Sequence, residues 1–400
     1  MPKPNSDCRA TERKHPWPMV RLGELGTMVR GNGIKRSETI ETGCPCLRYG
    51  EIYTSFDVIL DKPRSFVPKE LFDRSVKIKK GDLVFTLTGE NTEEIAKALA
   101  YLGDGEIAAG GDLAVWTGHG CDSKYLAYLM YSPQLISQKA ATGNGNIVVH
   151  TSIKKLQQLE IPLPPLSEQK KIVARLEREL AAVEKMKKGF EALAETAKAE
   201  FKAELKEVFE ELKRSTETCR LGDLCKIKAG KKDVRQGNPH GEYPFFTCAK
   251  TCTFADTYSY DCAALLVAGN GDVGYTQKYV GKFEVYQRTY VLYDFKDVDI
   301  DFVYYLMTGE FQEWAYSKLM GNTMPYIKMG VLSEFQVPVP SPPVQQHTVS
   351  CLAAAKAHAE KLELKAREGV AVCETMRKAI LKEAFDDGRA SPAIGKVAGR

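Results

Sequence analysis

Two long stretches of the chain place apolar residues at every third or fourth position, which is the spacing of an amphipathic helix. The first stretch covers about residues 167–214 and the second about residues 342–385. Both are longer than 25 residues without internal capping signals, and their apolar stripes are as narrow as those of coiled coils. A narrow stripe buries too little surface to stabilise a helix alone. The pattern therefore predicts two long helices that pack against each other.

The apolar stripes also predict which side chains lie between the paired helices. The stripe residues are Leu176, Leu180, Val183, Phe190, Phe201 and Leu205 in the first helix and Leu352, Leu362 and Ile380 in the second. The alternative interpretation is that each helix lies separately on the surface of a large domain.

The segment before each helix shows mostly the period-two pattern of β-strands. In the first segment, residues 76–88 predict a hairpin with its turn at Lys80-Gly81-Asp82. In the second segment, the predicted strands are residues 263–268, 282–287 and 289–295. Short helices are predicted at residues 124–131, 151–158, 301–307 and 311–317. Each segment has an ordinary domain size and predicts an α+β globule.

Three short motifs occur once in each globule. LGEL at residues 22–25 matches LGDL at 221–224, and GNGNI at 143–147 is echoed by GNTM at 321–324. IPLP, just before the first helix, is echoed by VPVP just before the second. The order of globule and helix is therefore repeated.

The predicted fold class is α+β, with two similar α/β globules alternating with two long helices. The domain prediction is a flexible N-terminus at residues 1–16, a first globule at 17–165, a central helix at 166–214, a second globule at 215–341, a C-terminal helix at 342–386 and a flexible tail at 387–400.

Composition narrows the class of protein. The 400 residues include 56 basic and 52 acidic residues, and the formal net charge of +4 excludes a histone-like polycation. The N-terminus lacks the apolar segment of a signal peptide, and the longest apolar run, residues 263–268, is too short to cross a bilayer. Eleven scattered cysteines lack the paired knuckles of zinc sites. We therefore expect a cytoplasmic protein with free thiols and no metal.

The common catalytic motifs are missing from the sequence. GNGDVG at residues 269–274 matches the glycine pattern of dinucleotide-binding loops, but further β pattern follows it instead of a helix. A glycine-rich turn between two strands is the favoured interpretation. The chain contains no Walker A, HExxH or GxSxG sequence, and its six histidines are isolated. We therefore expect a non-catalytic protein that binds no cofactor of its own.

The stretch IPLPPLSEQKKIVARL at residues 161–176, followed by a long helix and a second globule, resembles the specificity subunit of type I restriction-modification systems. The resemblance covers nearly the whole chain, and VPVPSPPVQQ at residues 337–346 is a degraded second copy. It implies two target-recognition domains, each of which recognises one half of a bipartite DNA site. It also implies that the two helices form an antiparallel coiled coil.

The resemblance also implies the partners of the chain in a prokaryotic cytoplasm. They are double-stranded DNA, two methyltransferase subunits that bind the helices, and motor-nuclease subunits that are added for restriction. S-adenosylmethionine, ATP and magnesium would be bound by those subunits, and no membrane is involved.

Basic clusters follow LGEL and LGDL at similar distances and are the first candidates for contacts with DNA. They contain Arg30, Lys35 and Arg36 in the first globule and Lys228, Lys231, Lys232 and Arg235 in the second. The second globule has 13 basic and 15 acidic residues, so its attraction to phosphates depends on such clusters or on partners. A solvated surface charge run is the alternative for each cluster.

Arginine pairs well with guanine in the major groove, and asparagine or glutamine pairs well with adenine. On this ground the base-recognising candidates are Arg48, Asn91 and Asn144 in the first globule and Gln277, Gln287, Arg288 and Asn322 in the second. Asn144 and Asn322 both adjoin glycine, so a role as turn residues is the alternative for them.

Two other functions remain open from the sequence. One is a specificity subunit of a related system whose methyltransferase and nuclease are fused in one partner chain. The other is an adaptor that presents two globules on a coiled coil to protein partners and binds no nucleic acid.

Overall fold

The computed structural model describes residues 16–145, 148–321 and 323–386. Contacts divide the chain into two compact units. The first unit contains residues 1–188 and 370–400, and the second contains residues 189–369. The predicted flexible tail, and the predicted flexible N-terminus apart from its last residue, lie outside the described residues.

The first unit contains thirteen short strands among its described residues. They are β1 (Met19–Arg21), β2 (Thr27–Arg30), β3 (Cys44–Leu47), β4 (Ile59–Leu60), β5 (Ser65–Val67), β6 (Lys77–Ile78), β7 (Leu83–Thr86), β8 (Thr88–Gly89), β9 (Ala98–Tyr101), β10 (Ile107–Ala109), β11 (Leu113–Thr117), β12 (Val149–His150) and β13 (Glu160–Pro162). The short helices of this unit are α1 (Leu22–Leu25), α2 (Tyr49–Thr54), α3 (Lys69–Arg74), α4 (Ser123–Leu129), α5 (Pro133–Thr142) and α6 (Ile153–Leu156).

Two main sheets form the first globule. A five-stranded sheet has the order β2-β11-β7-β9-β4, and a four-stranded sheet has the order β5-β3-β10-β6. Side chains alternate along each strand, so the five-stranded sheet buries apolar residues on both faces. One face packs Phe85 and Trp116 against the helices, and the other packs Val84 against Leu47 and Ile52.

The predicted hairpin at residues 76–88 is wrong. The turn forms as expected, with the Asp82 amide donating to the Lys79 carbonyl at 3.0 Å and Gly81 at a φ of +98°. The flanking strands, however, belong to different sheets, because β6 pairs with β10 whereas β7 pairs with β9 and β11. Local turn chemistry bends the chain here, but long-range partners decide the strand pairing. The helices α2, α3 and α5 were not predicted either.

The second unit has a simpler strand arrangement. Its strands are β14 (Thr218–Arg220), β15 (Lys226–Ala229), β16 (Tyr243–Phe246), β17 (Thr253–Ala255), β18 (Tyr260–Ala268), β19 (Thr276–Val285), β20 (Thr289–Tyr293) and β21 (Gln336–Pro338). Its short helices are α8 (Leu221–Leu224), α9 (Ile300–Leu306), α10 (Gln312–Tyr316) and α11 (Met329–Glu334), with a π-helical turn at Met307–Phe311. The two long helices are α7 (Leu166–Ser215) and α12 (Pro342–Asp386), and each contributes to both units.

The main sheet of the second globule is six-stranded, in the order β15-β20-β18-β19-β16-β17. Strand β19 pairs with β18 along most of its length and with β16 at its end. In the first globule the corresponding pairings are made by two separate strands, because β9 pairs with β7 whereas β10 pairs with β3. The glycine-rich stretch 269–274 joins β18 to β19, so the predicted turn between strands is confirmed.

In the first unit, α7 and α12 pack in opposite directions. Arg175 donates to Glu383 at 2.7 Å, and further along α7 the Nζ of Lys187 lies 3.7 Å from Glu374. Phe385 of α12 packs edge-on against Tyr125 of the globule, with ring centroids 5.7 Å apart. The helix pair therefore shares the hydrophobic core of the first globule.

The second unit shows the same antiparallel arrangement. The backbone of Gly369 lies against the Phe190 ring so closely that a Cβ there would be 2.5 Å from it. Lys198 lies 3.8 Å from Glu363, and Phe209 packs edge-on against Phe302 of the globule with centroids 5.2 Å apart. In both units the helices therefore pair and also complete the core of a globule.

The predicted pairing of the long helices is confirmed, and with it the predicted α+β class. Four stripe residues are buried, namely Leu176, Val183, Leu205 and Leu352. The other five are half-buried, namely Leu180, Phe190, Phe201, Leu362 and Ile380.

One glutamine fastens each long helix to its globule. Gln169 accepts a hydrogen bond from the Asp122 amide at 2.8 Å and donates one to the Pro164 carbonyl at 2.9 Å. Gln345 does the same with the Asp299 amide at 2.7 Å and the Pro340 carbonyl at 2.8 Å.

The same two bonds recur because the surrounding elements recur. Asp122 is the N-cap of α4 and Asp299 is the N-cap of α9. Both glutamines are almost completely buried, with 3% and 2% of their surface exposed. Each therefore ties the start of a long helix to the start of a globule helix.

We expect Gln169→Leu to destabilise the first unit and Gln345→Leu to destabilise the second, by about 1–3 kcal/mol each. The leucine would leave a partly buried amide and a buried carbonyl without partners. Hydrogen exchange should show lost protection around α4 in the first variant and around α9 in the second. Gln346→Leu is the control, since that side chain is exposed. Equal effects of all three changes would contradict the proposed role.

Lys139 of α5 is a buried amine in the core of the first globule. Only 3% of its surface is exposed, and its Nζ donates to the Ala96 carbonyl at 3.2 Å. The Nζ also lies 5.5 Å from the centroid of the Tyr131 ring. Burial, together with nearby Lys97, lowers the pKa of Lys139 to about 7.

We expect Lys139→Met to stabilise the protein at neutral and lower pH. The unfolded chain binds a proton at this lysine up to about pH 10.5, whereas the folded chain releases it near pH 7. Stability of the unsubstituted protein therefore rises with pH between these values, and the advantage of the variant shrinks over the same window. Thermal unfolding of both proteins across this range measures the difference. Lys154→Met, an exposed position in α6, should show no such trend, and a pH-independent difference for Lys139→Met would refute the assignment.

Candidate nucleic-acid interface

A groove of about 1130 Å³ opens on the first globule where β2, β3 and β10 end. Its lining is rich in glycine and in basic residues. The lining residues are Arg30, Gly31, Gly33, Ile34, Lys35, Arg36, Arg48, Tyr49, Gly50, Glu51, Thr54, Gly110, Gly111 and Asp112. The structure thus brings together four of the predicted DNA-binding residues of this globule, which are Arg30, Lys35, Arg36 and Arg48.

Close backbone contacts shape this groove. A Cβ on Gly31 would lie 2.1 Å from the Gly110 carbonyl oxygen, and a Cβ on Gly111 would lie 2.9 Å from the Cα of Gly33. Only glycine allows these two segments to approach so closely.

Lys35 and Arg36 are exposed on the rim of the groove. They begin a 3-10 turn that Glu38 caps by accepting a hydrogen bond from the Lys35 amide at 2.7 Å. Among the residues that the structure describes, no carboxylate forms an ion pair with either side chain. Exposed cations without a partner are suited to phosphate contacts.

Arg30, unlike Lys35 and Arg36, is paired with groups of the groove itself. Its Nε donates to the Gly111 carbonyl at 2.8 Å, and its Nη2 lies 3.3 Å from the Asp112 carboxylate. Part of its positive charge is therefore already compensated within the groove.

Two predicted residues of the first globule lie outside the groove lining. Asn91 caps a local turn, accepting from the Glu94 amide at 2.8 Å. The backbone of Asn144 pairs with His150, and its best-bonded side-chain orientation donates to the Gly143 carbonyl and accepts from Lys155, both at 3.0 Å. Both side chains thus satisfy local backbone or side-chain groups, and their role in DNA binding stays a prediction.

The basic cluster of the second globule occupies a related position. A Cβ on Gly230 would lie 2.3 Å from the Tyr286 carbonyl, much as Gly31 approaches Gly110. The Gln287 amide donates to the Lys232 carbonyl at 2.9 Å, so the cluster lies beside Gln287. Lys231 and Arg235 are exposed. Lys228 lies over the Tyr293 ring, and hydrogen bonding to the Tyr293 hydroxyl raises the pKa of this lysine.

A smaller cavity of about 420 Å³ adjoins this cluster. It is lined by Gly269, Gln287, Arg288, Tyr290, Tyr326 and Ile327, so two of the predicted base-recognising residues meet there. Gln277 lies elsewhere and donates to the Ala249 carbonyl at 3.2 Å. Asn322 lies outside the described residues.

Strand register shows how the charges of the two surfaces differ. Arg30 pairs with Ala114 in the first globule, and Ala229 pairs with Tyr290 in the second. Two residues before these partners stand Asp112 and Arg288. The first surface therefore has an arginine and an aspartate where the second has an alanine and an arginine.

A buried carboxylate that was not among the predicted site residues belongs to the lining of the first groove. Glu51 is only 8% exposed and accepts from the Arg48 amide at 2.9 Å and from the Ser65 hydroxyl at 2.7 Å. Glu51 lies three residues after the N-cap, as in a capping box, but the N-cap here is Arg48 and not the Ser or Thr of the usual sequence signature.

Among the described residues, no group of three or more histidine, cysteine or acidic side chains is arranged to hold a metal ion. None of the described helices is long and apolar enough to cross a membrane.

Comparison with known families decides what kind of chain has this fold. The sequence model of the type I restriction modification DNA specificity domain matches residues 14–190 and again residues 213–367. The chain belongs to this family of type I specificity proteins. Each match covers one globule and the first part of the long helix that follows it. The chain therefore contains two copies of the family domain.

Curated relatives of this specificity protein carry the same description. The type I restriction enzyme EcoDI specificity subunit of Escherichia coli is 33% identical over 169 residues, which are 42% of this chain and 37% of that protein. The MjaVIII specificity subunit of Methanocaldococcus jannaschii is 23% identical over 81% of this chain and 82% of that protein. The match to EcoDI thus spans less than half of that subunit.

Solved structures show the same fold at low sequence identity. One is a chain from a study of complex assembly and conformational transition of a type I R-M system, with a TM-score of 0.73, 19% identity and coverage of 92% of this chain and 97% of that chain. Another is the HsdS subunit of Thermoanaerobacter tengcongensis, with a TM-score of 0.54, 18% identity and coverage of 95% and 99%.

We expect Asp112→Asn to raise the affinity of this specificity protein for duplex DNA of arbitrary sequence a few-fold at low salt. The change removes a negative charge from the groove and releases Arg30 from its ion pair, and the gain should fade as salt rises. Fluorescence anisotropy of the chain with labelled duplex DNA, at several salt concentrations, measures this affinity. Asp104→Asn alters the same charge on an exposed carboxylate outside the groove. Equal gains from both variants, or a loss from Asp112→Asn, would contradict the prediction.

Proposed function

We propose that this chain is the non-catalytic specificity subunit of a type I restriction-modification complex. Residues 17–165 and 215–341 would each recognise one half of a bipartite double-stranded DNA target. The observation that carries this proposal is the duplicated globule, in which a glycine-bounded basic surface follows the same strand in each copy, after Gly31 and after Gly230. The family match supports DNA as the ligand of both surfaces.

We further propose that the long helices bind methyltransferase subunits, two per complex, and that motor-nuclease subunits join for restriction. Several large apolar side chains on these helices remain exposed, as expected of surfaces that a partner covers. They are Met186 and Leu193 on α7 and Leu364, Val372 and Met376 on α12, with exposed fractions from 38% to 56%.

The chemistry in this proposal belongs to the partners. S-adenosylmethionine would be bound by the methyltransferase subunits, and ATP and magnesium by the motor-nuclease subunits. The sequence of this chain contains none of the phosphate-binding or hydrolytic motifs that such reactions use. Its contribution would be to choose the DNA sequence and to hold the methyltransferases there.

A related system with methyltransferase and nuclease fused in one partner chain would use the same specificity subunit. The nature of the partner polypeptide in the host distinguishes it from the first proposal. An adaptor without DNA binding is disfavoured by the family match. Mapping DNA methylation in a host with and without this chain tests it directly.

Exchange of residues 17–165 for the corresponding segment of another family member is expected to change only one half of the methylated motif. The reason is that each globule has its own core and its own basic surface. Methylation is mapped across the genome of a host that expresses the partner methyltransferase with the natural chain, with the chimera or with no specificity subunit.

The reciprocal chimera, exchanged at residues 215–341, should change the other half alone. A change in both halves from one exchange would contradict separate recognition by the two globules. Identical methylation with and without the chain would refute a role in DNA specificity and leave the adaptor.

A further inference from the structure

Arg48 occupies a distinct place in the groove of the first globule. It follows β3 directly and is the N-cap of α2. A Cβ added to Gly110 would lie 3.4 Å from the Arg48 Cα and 3.9 Å from its Cγ, so the opposite wall packs against the arginine stem. Its side chain is 25% exposed, compared with 64% for Arg30 in the same groove. Arg48 therefore lies at the base of the groove and not on its rim.

A buried carboxylate holds this arginine in place. One oxygen of Glu51 accepts from the Arg48 amide at 2.9 Å and lies 3.6 Å from the Arg48 Nε. The other oxygen accepts from the Ser65 hydroxyl at 2.7 Å, which fixes the carboxylate. The charge of Glu51 thus attracts the guanidinium while the β5 residue Ser65 sets its direction.

The hydrogen-bonding capacity of this guanidinium is largely unused. The Nε of Arg48 is buried and lacks a hydrogen-bond partner, since the distance to Glu51 is too long. Within residues 16–145, 148–321 and 323–386, no hydrogen bond uses its Nη atoms either. The two Nη groups of an arginine held in this way, in an open groove, are suited to a ligand with two adjacent acceptors.

Two acceptor pairs on DNA fit such a planar fork: a phosphate, and the O6 and N7 atoms of guanine. The exposed residues Lys35 and Arg36 are suited to phosphates. A side chain at the base of a groove, fixed in direction by a buried carboxylate, favours the edge of a base instead.

We propose that Arg48 recognises a guanine in the half-site bound by the first globule, with Glu51 and Ser65 as positioning residues. This proposal rests on the proposed function, because it names the base that one residue of that DNA-binding surface selects.

The second globule carries no arginine at the equivalent place. The Gly110 amide donates to the Leu47 carbonyl just as the Tyr286 amide donates to the Phe246 carbonyl, each at 2.9 Å. The residue that follows Phe246 is Thr247, whose hydroxyl accepts from the Ala249 amide at 3.2 Å. The guanine contact proposed here therefore belongs to the first half-site alone.

The test uses the full chain assembled with its methyltransferase, after the natural split motif has been mapped. We expect a required guanine, on either strand, in the half-site that changes when residues 17–165 are exchanged. Arg48→Gln should reduce discrimination against the other bases at that position by about tenfold or more and leave the remaining positions intact. Binding to duplexes substituted at each position in turn, and methylation of the same set, provide the measurements.

Two further variants separate recognition from folding. Arg48→Lys keeps the charge but not the fork, and Glu51→Gln keeps the shape but not the buried charge. Both should weaken discrimination at the same single position while thermal unfolding and the second half-site stay unchanged. Arg74→Gln, an exposed arginine outside the groove lining, removes the same charge and should leave discrimination intact.

Three results would overturn the proposal. They are a first half-site that requires no guanine, an Arg48→Gln complex that discriminates as before, and a uniform loss of affinity for all duplexes with a shallower salt dependence. The last result would make Arg48 a phosphate ligand. Failure of the proposed function looks different, because the natural chain would then direct methylation to no split motif at all.

Discussion

The hydrogen bonds of Gln169 and Gln345 to two backbone segments each are the constraint on which both units depend. A long helix with a narrow apolar stripe needs tertiary contacts to be stable, and a globule helix needs its N-terminal amides satisfied. Each glutamine meets both needs at one buried point, because it joins the first turn of α7 or α12 to the loop that begins α4 or α9. The apolar residues of the helices are thereby brought to the correct place in each core, such as Leu176 beneath the first globule and Leu352 beneath the second.

Periodic features of the fold were predictable from sequence, and pairings between distant segments were not. The ends of α7 and α12 that the apolar spacing and the preceding prolines predict lie within about one residue of the observed ends. The hairpin expected at residues 76–88 failed because β6 finds its partner, β10, some thirty residues away. Residue type and turn signals carry no information about such a partner.

In the candidate interface, too, local motifs were predictable from sequence and contacts between distant segments were not. Arg30, Lys35 and Arg36 could be selected because they follow a repeated motif, whereas their meeting with Arg48 depends on the parallel pairing of β3 with β10. Asn91 and Asn144 were chosen by residue type, and the structure shows side chains occupied by local hydrogen bonds. Glu51 escaped notice because a buried acidic residue gives no sign of burial in its own sequence.

The two-stranded ribbons at the base of the globules have a consequence for how such proteins change. Met19 pairs with Pro162 and Thr218 with Pro338, so each globule is entered and left by neighbouring strands in the same register. The stretch between the paired ends is 23 residues shorter in the second globule, yet its ends meet in the same way. Insertions and deletions above the ribbon leave its paired ends in place, and the remaining contacts to the helices come from a few globule residues such as Asp122 and Tyr125. Recombination between genes of this kind can therefore deliver a new globule to an old scaffold in one step, provided that the incoming segment keeps these contacts.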